Sequence, residues 1–75
     1  MKEREIKFEI IEQLGVISEG TKGWKKELNL ISWGERDAKY DLRDWDENHE
    51  KMTKGLTLNT EEIIKLRDIL NRIDI

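Results

Sequence analysis

Cysteine and proline are both absent from the 75-residue chain. Without cysteine there is no disulfide framework and no thiolate metal site. Long apolar runs are absent too. Nothing approaches the ~20 consecutive apolar residues of a membrane span, and the opening "MKEREIKFEI" lacks the apolar stretch of a signal peptide. A soluble, cytoplasmic protein is the expectation. Histidine occurs once, at His49, in a polar loop beside Asn48 and Glu50. That context predicts a solvated side chain rather than a metal ligand or catalytic base.

What is abundant is charge. Charged residues make up 41% and hydrophobic residues 36%, so the core must be small. One domain, residues 1–75, is expected. A chain of this size buries only about 60% of its unfolded surface, and small domains without disulfides or metal often gain stability by oligomerising. The net charge of -3 argues against a duplex-DNA binder that works through bulk charge. It leaves room for a protein whose basic residues gather on one face.

Period-two patterning predicts strands. In the first, Ile6, Phe8 and Ile10 alternate with Lys7 and Glu9, and Leu14 and Val16 continue the parity. Ile11 and Ile17 take the other face, and Gly15 marks a bulge or bend. "EGTKG" is a turn, "WKKELNLISW" a second strand, "GERD" a second turn, and Ala38 to Asp46 a third strand. A polar connection, Glu47 to Gly55, leads to the short strand "LTLN". The last segment reads as a helix, with Asn59 as N-cap and Glu62 completing a capping box. Ile63, Leu66, Ile69, Leu70 and Ile73 form a stripe on it roughly 120° wide. Ile64 and Ile75 lie off the stripe. The order β-β-β-β-α, with no βαβ unit, predicts an antiparallel sheet with the helix on one face.

That helix needs an apolar face. Leu28, Leu30, Tyr40 and Leu42 supply it, with Ile6, Phe8 and Ile10 expected beside them. The other face then carries Lys25, Asn29, Ile31, Trp33, Lys39, Arg43 and Trp45, and Arg43 and Trp45 are expected to face outward. A single-strand platform accounts for such a face: aromatic rings stack on bases and cations sit beside phosphates. Two other readings compete. Trp33, Trp45 and Ile31 could dock a protein, or the tryptophans could be buried in a larger assembly.

Other chemistry finds less support. "DWDENHE" begins like a calcium loop at Asp44, Asp46 and Asn48, but His49 and Gly55 stand where glycine and glutamate are needed. "GTKG" lacks the spacing of a phosphate loop, so Lys22 is a turn residue within reach of a backbone phosphate. Ser18 and Ser32 have no base nearby in sequence. Neither an enzyme nor a cofactor is expected.

"ELNLISWGERDAKYDLRDW", followed by "KGLTL" and a terminal helix, resembles the positive cofactor 4 (transcriptional coactivator p15) family, and its short bacterial YdbC-like branch most closely. The resemblance runs from about Phe8 to Ile73. It implies a curved four-stranded antiparallel sheet and one helix, dimerising through helices and adjacent strands. It also implies binding of single-stranded DNA with little sequence preference, RNA being the second candidate, a role in transcription, replication or repair, and a nucleoid-associated location. Trp33 matches an aromatic that stacks on bases, Arg43 a phosphate-contacting arginine, and Trp45 an aromatic two residues beyond it. Lys54 matches the lysine before the glycine of the fourth strand. Lys25 and Lys26 both fall where basic residues occur, and Arg36 lies near a basic turn position. Here Glu35 and Asp37 flank Arg36, a departure from the family's richly basic turn.

Overall fold

A computed structural model describes residues 7–75. Its elements are β1 (Phe8–Glu19), a 3-10 turn at Thr21–Gly23, β2 (Lys25–Trp33), β3 (Lys39–Trp45), β4 (Leu56–Leu58) and α1 (Thr60–Arg72). The four strands pair antiparallel in chain order. The α+β order read from the sequence is therefore the observed one. Ile6, expected in the first strand, lies outside the described residues. No helix among them is long and apolar enough to cross a membrane.

Local chemistry sets the turns. Between β1 and β2 the Gly20 N–H donates to the Trp24 carbonyl (2.7 Å), and Gly23 takes the left-handed conformation at φ 81° that glycine tolerates without strain. Between β2 and β3 the Arg36 N–H donates to the Trp33 carbonyl (3.1 Å), and the Ser32 hydroxyl donates to the Arg36 carbonyl (2.6 Å).

Register, rather than parity along one strand, decides which side chains share a face. Phe8 stands opposite Trp33 and Ile10 opposite Ile31. Antiparallel partners project to the same side, so Phe8 and Ile10 lie on the face of Trp33 and Ile31. Their expected place beside Leu28 and Leu30 is thereby corrected. A one-residue change of register transfers a whole strand to the other face. In β1 the register changes three times, skipping Ile11, Leu14 and Ile17. Each skipped residue is a bulge, and bulges bend and twist the strand that carries them.

The sheet is rolled about the Trp33 face. Phe8 is opposite one end of β2 and Trp45 opposite the other, yet their ring centroids lie 5.2 Å apart. Eight residues of flat strand would separate them by roughly 26 Å, so this face must be concave. Ile31 and Trp45 are fully buried in it, with Glu27, Asn29 and Asp41 buried among them. The expectation that Arg43 and Trp45 face outward is corrected as well: Trp45 is 0% exposed and the Arg43 side chain 13%. Rolling brings distant parts of the sheet together over this face, and no single-strand pattern records that.

The convex face carries α1. Leu28, Tyr40, Leu42 and Leu58 are half-buried there, against half-buried Ile63 and Leu66. Asn59 caps the helix as its spacing predicts: its side chain accepts the Glu62 N–H (2.8 Å), and the Glu62 carboxylate accepts the Asn59 N–H (2.9 Å). The apolar stripe engages the sheet only in part. Ile69, Leu70 and Ile73 are exposed, as are Ile64 and Ile75. A cavity of about 360 Å³, lined by Ile17, Leu28, Leu42, Leu58, Leu66 and Leu70 among others, lies between helix and sheet. Among the described residues this side of the small core is only partly covered.

Candidate nucleic-acid interface

Two polar networks organise the concave face. In the first, His49 Nε2 lies 2.9 and 3.0 Å from the two Glu27 carboxylate oxygens, and the Asn29 amide donates to Glu27 Oε1 (3.0 Å). The His49 ring also packs on Trp45, at 5.5 Å between centroids. His49 is thus a latch between the loop after β3 and the sheet, not the solvated side chain expected from its polar neighbours.

In the second network Arg43 donates to Asp41 through two nitrogens, Nε to Oδ1 (2.6 Å) and NH2 to Oδ2 (2.8 Å). Asp41 is fully buried and also accepts the Thr57 hydroxyl (3.1 Å). The third guanidinium nitrogen donates to the Thr53 carbonyl (3.3 Å) and lies 3.4 Å from Met52 Sδ. Gly55 makes this possible. A Cβ there would come within 2.5 Å of the Leu42 carbonyl oxygen and 2.7 Å of Arg43 Nε, so only glycine lets the Thr53–Gly55 backbone lie against Arg43.

Trp33 stands where these groups converge. The Arg43 guanidinium carbon is 4.7 Å from the centre of its ring, and Phe8 tilts against it at 5.7 Å. Cation–aromatic contact at this range is attractive. Among the described residues, Asn29 Oδ1, Trp33 Nε1 and Trp45 Nε1 are buried polar atoms of the concave face without a hydrogen-bond partner.

The expected binding residues divide by position. Trp33 is half-buried at the end of β2, next to the turn that carries exposed Arg36 and leads to exposed Lys39. Lys39 pairs with Ile31, which puts it on the concave side. Lys54 is exposed, next to the glycine that covers Arg43. Among the described residues Arg36, Lys39 and Lys54 make no ion pair. At the other end of β2, Lys25 is opposite Trp45 on the concave side, while Lys22 is exposed in the first turn with φ 58°. Lys26 has the opposite parity and an ion pair with Asp44 at 3.1 Å. Lys25 and Lys26, equivalent from sequence, thus belong to different faces. Docking of a protein on Trp33, Trp45 and Ile31 loses two of its three residues, since Trp45 and Ile31 are fully buried.

Asn29 lies on the face the sequence assigns to it, but buried rather than open to a ligand, and Glu27 and Asp41 beside it have no role legible in the sequence. Only the rolled sheet turns these polar residues inward.

Asp46 holds the loop that carries His49. Its carboxylate accepts the Glu50 and Lys51 N–H groups (2.8 and 3.1 Å). The Lys51 N–H first, then the Glu50 N–H and the nearby charges of Lys51 and His49, hold its pKa below the ordinary 3.8 despite an opposing desolvation contribution. A carboxylate with a depressed folded pKa adds stability above its unfolded value, and loses it as pH falls through the folded value. Below about pH 4, the Glu50 and Lys51 amide resonances should therefore shift together and lose protection relative to their intrinsic exchange rates. Resonances that hold still through an acid titration would show that Asp46 does not anchor the loop.

The family described as Transcriptional Coactivator p15 (PC4) matches this chain over residues 21–69. Those residues run from the first turn through the binding candidates into α1. The chain is also 43% identical, over 68 residues, to a protein of Treponema pallidum (strain Nichols) described as uncharacterized. That alignment covers 91% of this chain and 80% of the relative.

Proposed function

The chain belongs to the transcriptional coactivator p15 (PC4) family, and on that premise we propose that it binds single-stranded DNA, as a dimer, at the Trp33 rim of the concave face. The observation that carries this reading is Trp33 held beside Arg43 and next to Arg36 and Lys39, the last two making no ion pair among the described residues. An indole offers a face that any base can stack on. Exposed cations nearby reach the phosphates of the same strand. A duplex hides its base faces, so the rim favours unpaired strands, and stacking lets a chain of net charge -3 bind a polyanion. Single-stranded RNA offers the same chemistry and is the second ligand to test. The role proposed is binding, without catalysis, in a process that exposes single strands, such as transcription.

The test is a titration of oligo-dT, oligo-U and duplex DNA at several salt concentrations. Single strands should bind more tightly than duplex. Trp33→Ala should weaken single-strand binding by roughly 1–3 kcal/mol, one lost stacking contact, with little change in salt dependence. Lys39→Ala and Lys54→Ala should each lower the slope of log affinity against log salt by about 0.7, the value for one single-strand phosphate contact. Equal affinity for duplex and single strand would refute the reading.

The dimer rests on the incomplete convex face. Ile17, Leu70 and Ile73 leave apolar surface beside the cavity under α1, and a second copy of the same face would cover it.

A further inference from the structure

We propose that Asp41 is a positioning residue for this site: it locks Arg43 as a fixed plate against Trp33, so that Arg43 orients the indole and does not itself take a phosphate. This rests on the reading of Trp33 as the stacking residue. It differs from the role that resemblance to the family gives Arg43.

Three observations support it. All three guanidinium nitrogens already donate within the protein, two of them to one carboxylate. That carboxylate is fully buried and pinned by Thr57. Swinging Arg43 out to a phosphate would strand a buried negative charge, among the most destabilising changes a protein interior can undergo. Finally, among the described residues Trp33 Nε1 is buried without a hydrogen-bond partner, so the plane of the indole is set by what lies against it: the Arg43 guanidinium and, at a tilt, Phe8.

The alternative is a restraint that holds Arg43 away from the ligand until a phosphate displaces Asp41. Fixation by Thr53 and Thr57 as well as Asp41 favours the plate. The two roles predict opposite results.

Asp41→Asn, Arg43→Gln and Arg43→Lys are compared with the unsubstituted protein, with oligo-dT affinity expressed per folded molecule across a salt series. All three should bind about tenfold more weakly, part of one stacking contact, with the salt slope unchanged. Arg43→Lys is the sharpest case, because it keeps the charge and loses the plate. A slope lowered by about 0.7 in Arg43→Gln, or tighter binding by Asp41→Asn, would overturn the proposal.

Two further measurements stand if these variants fold poorly. In the unsubstituted protein the Arg43 Nε–H resonance should keep its Asp41-bonded shift as oligo-dT is added; loss of that shift would show Arg43 transferring to phosphate. Without any ligand, nitrogen relaxation of the Trp33 indole should show greater mobility in Arg43→Lys, with the Trp45 indole unchanged. If the unsubstituted protein fails to bind single strands while this contrast holds, the proposed ligand falls and the plate remains. An indole equally rigid in both proteins would remove the plate.

Discussion

Trp45→Ala should cost about 3–5 kcal/mol of stability, the range for deleting a large aromatic from a packed interior. Trp45 is 0% exposed, with Phe8 at 5.2 Å and His49 at 5.5 Å between ring centroids. A chain of 75 residues has roughly 4–11 kcal/mol to lose, so the variant should give up a large share of its stability. Urea melts followed by far-ultraviolet circular dichroism measure the loss directly. Trp45→Phe should retain most of the stability. It keeps an aromatic against Phe8, and among the described residues Nε1 has no hydrogen-bond partner to lose. Single-strand affinity per folded molecule should change little in Trp45→Phe. A native melt for Trp45→Ala combined with lost binding would mean that the indole reaches the ligand after all.

The second large effect lies on the convex face. Ile69→Asp should convert a dimer into a monomer without unfolding the chain. Ile69 is 46% and Ile73 45% exposed in a single copy, so a carboxylate at position 69 can stay hydrated there. In the proposed dimer the same carboxylate would lose its hydration against an apolar face, at a cost of several kcal/mol. Every 1.4 kcal/mol weakens association tenfold. Sedimentation at micromolar concentration should report about twice the 9.0 kDa chain mass for the unsubstituted protein and the single-chain mass for the variant. An unsubstituted protein that sediments as one chain would end the dimer proposal.

What could be read from the sequence was local. The capping box at Asn59 and Glu62 and the glycines of the first two turns act within a few residues, and each lies where the pattern indicates. The alternation in β2 and β3 correctly groups Leu28 with Leu42 and Asn29 with Asp41. Alternation separates two faces but does not say which is buried. Phe8 departs from the face its alternation indicates because pairing register is a relation between strands, and the bulges in β1 change it along the strand. Trp45 departs from its expected exposure because its cover includes Phe8, far away in sequence, and His49 in a loop that reads as solvated. The exposed lysines are legible from charge alone. The surroundings of Trp33 are legible only in part: Arg43 stands out by its charge on a strand, whereas the burial of Asp41 two residues away has no local signal. Thr57 and Gly55, contributed by a later segment, complete its surroundings.

The bulges of β1 also bear on strand pairing between copies of the chain. β1 is the long outer strand of an open sheet, and exposed Ile11, Leu14 and Ile17 punctuate it. A long, straight, apolar outer strand invites another chain to pair with it, which is a route to aggregation. Here the ladder with β2 is broken into runs of no more than three residues: Phe8–Ile10, Glu12–Gln13, Gly15–Val16 and Ser18–Glu19. An incoming strand would meet a template whose spacing fails every few residues and whose twist turns away. The irregularity that hid the face assignment from the sequence thus also guards the rim of the sheet against runaway polymerisation.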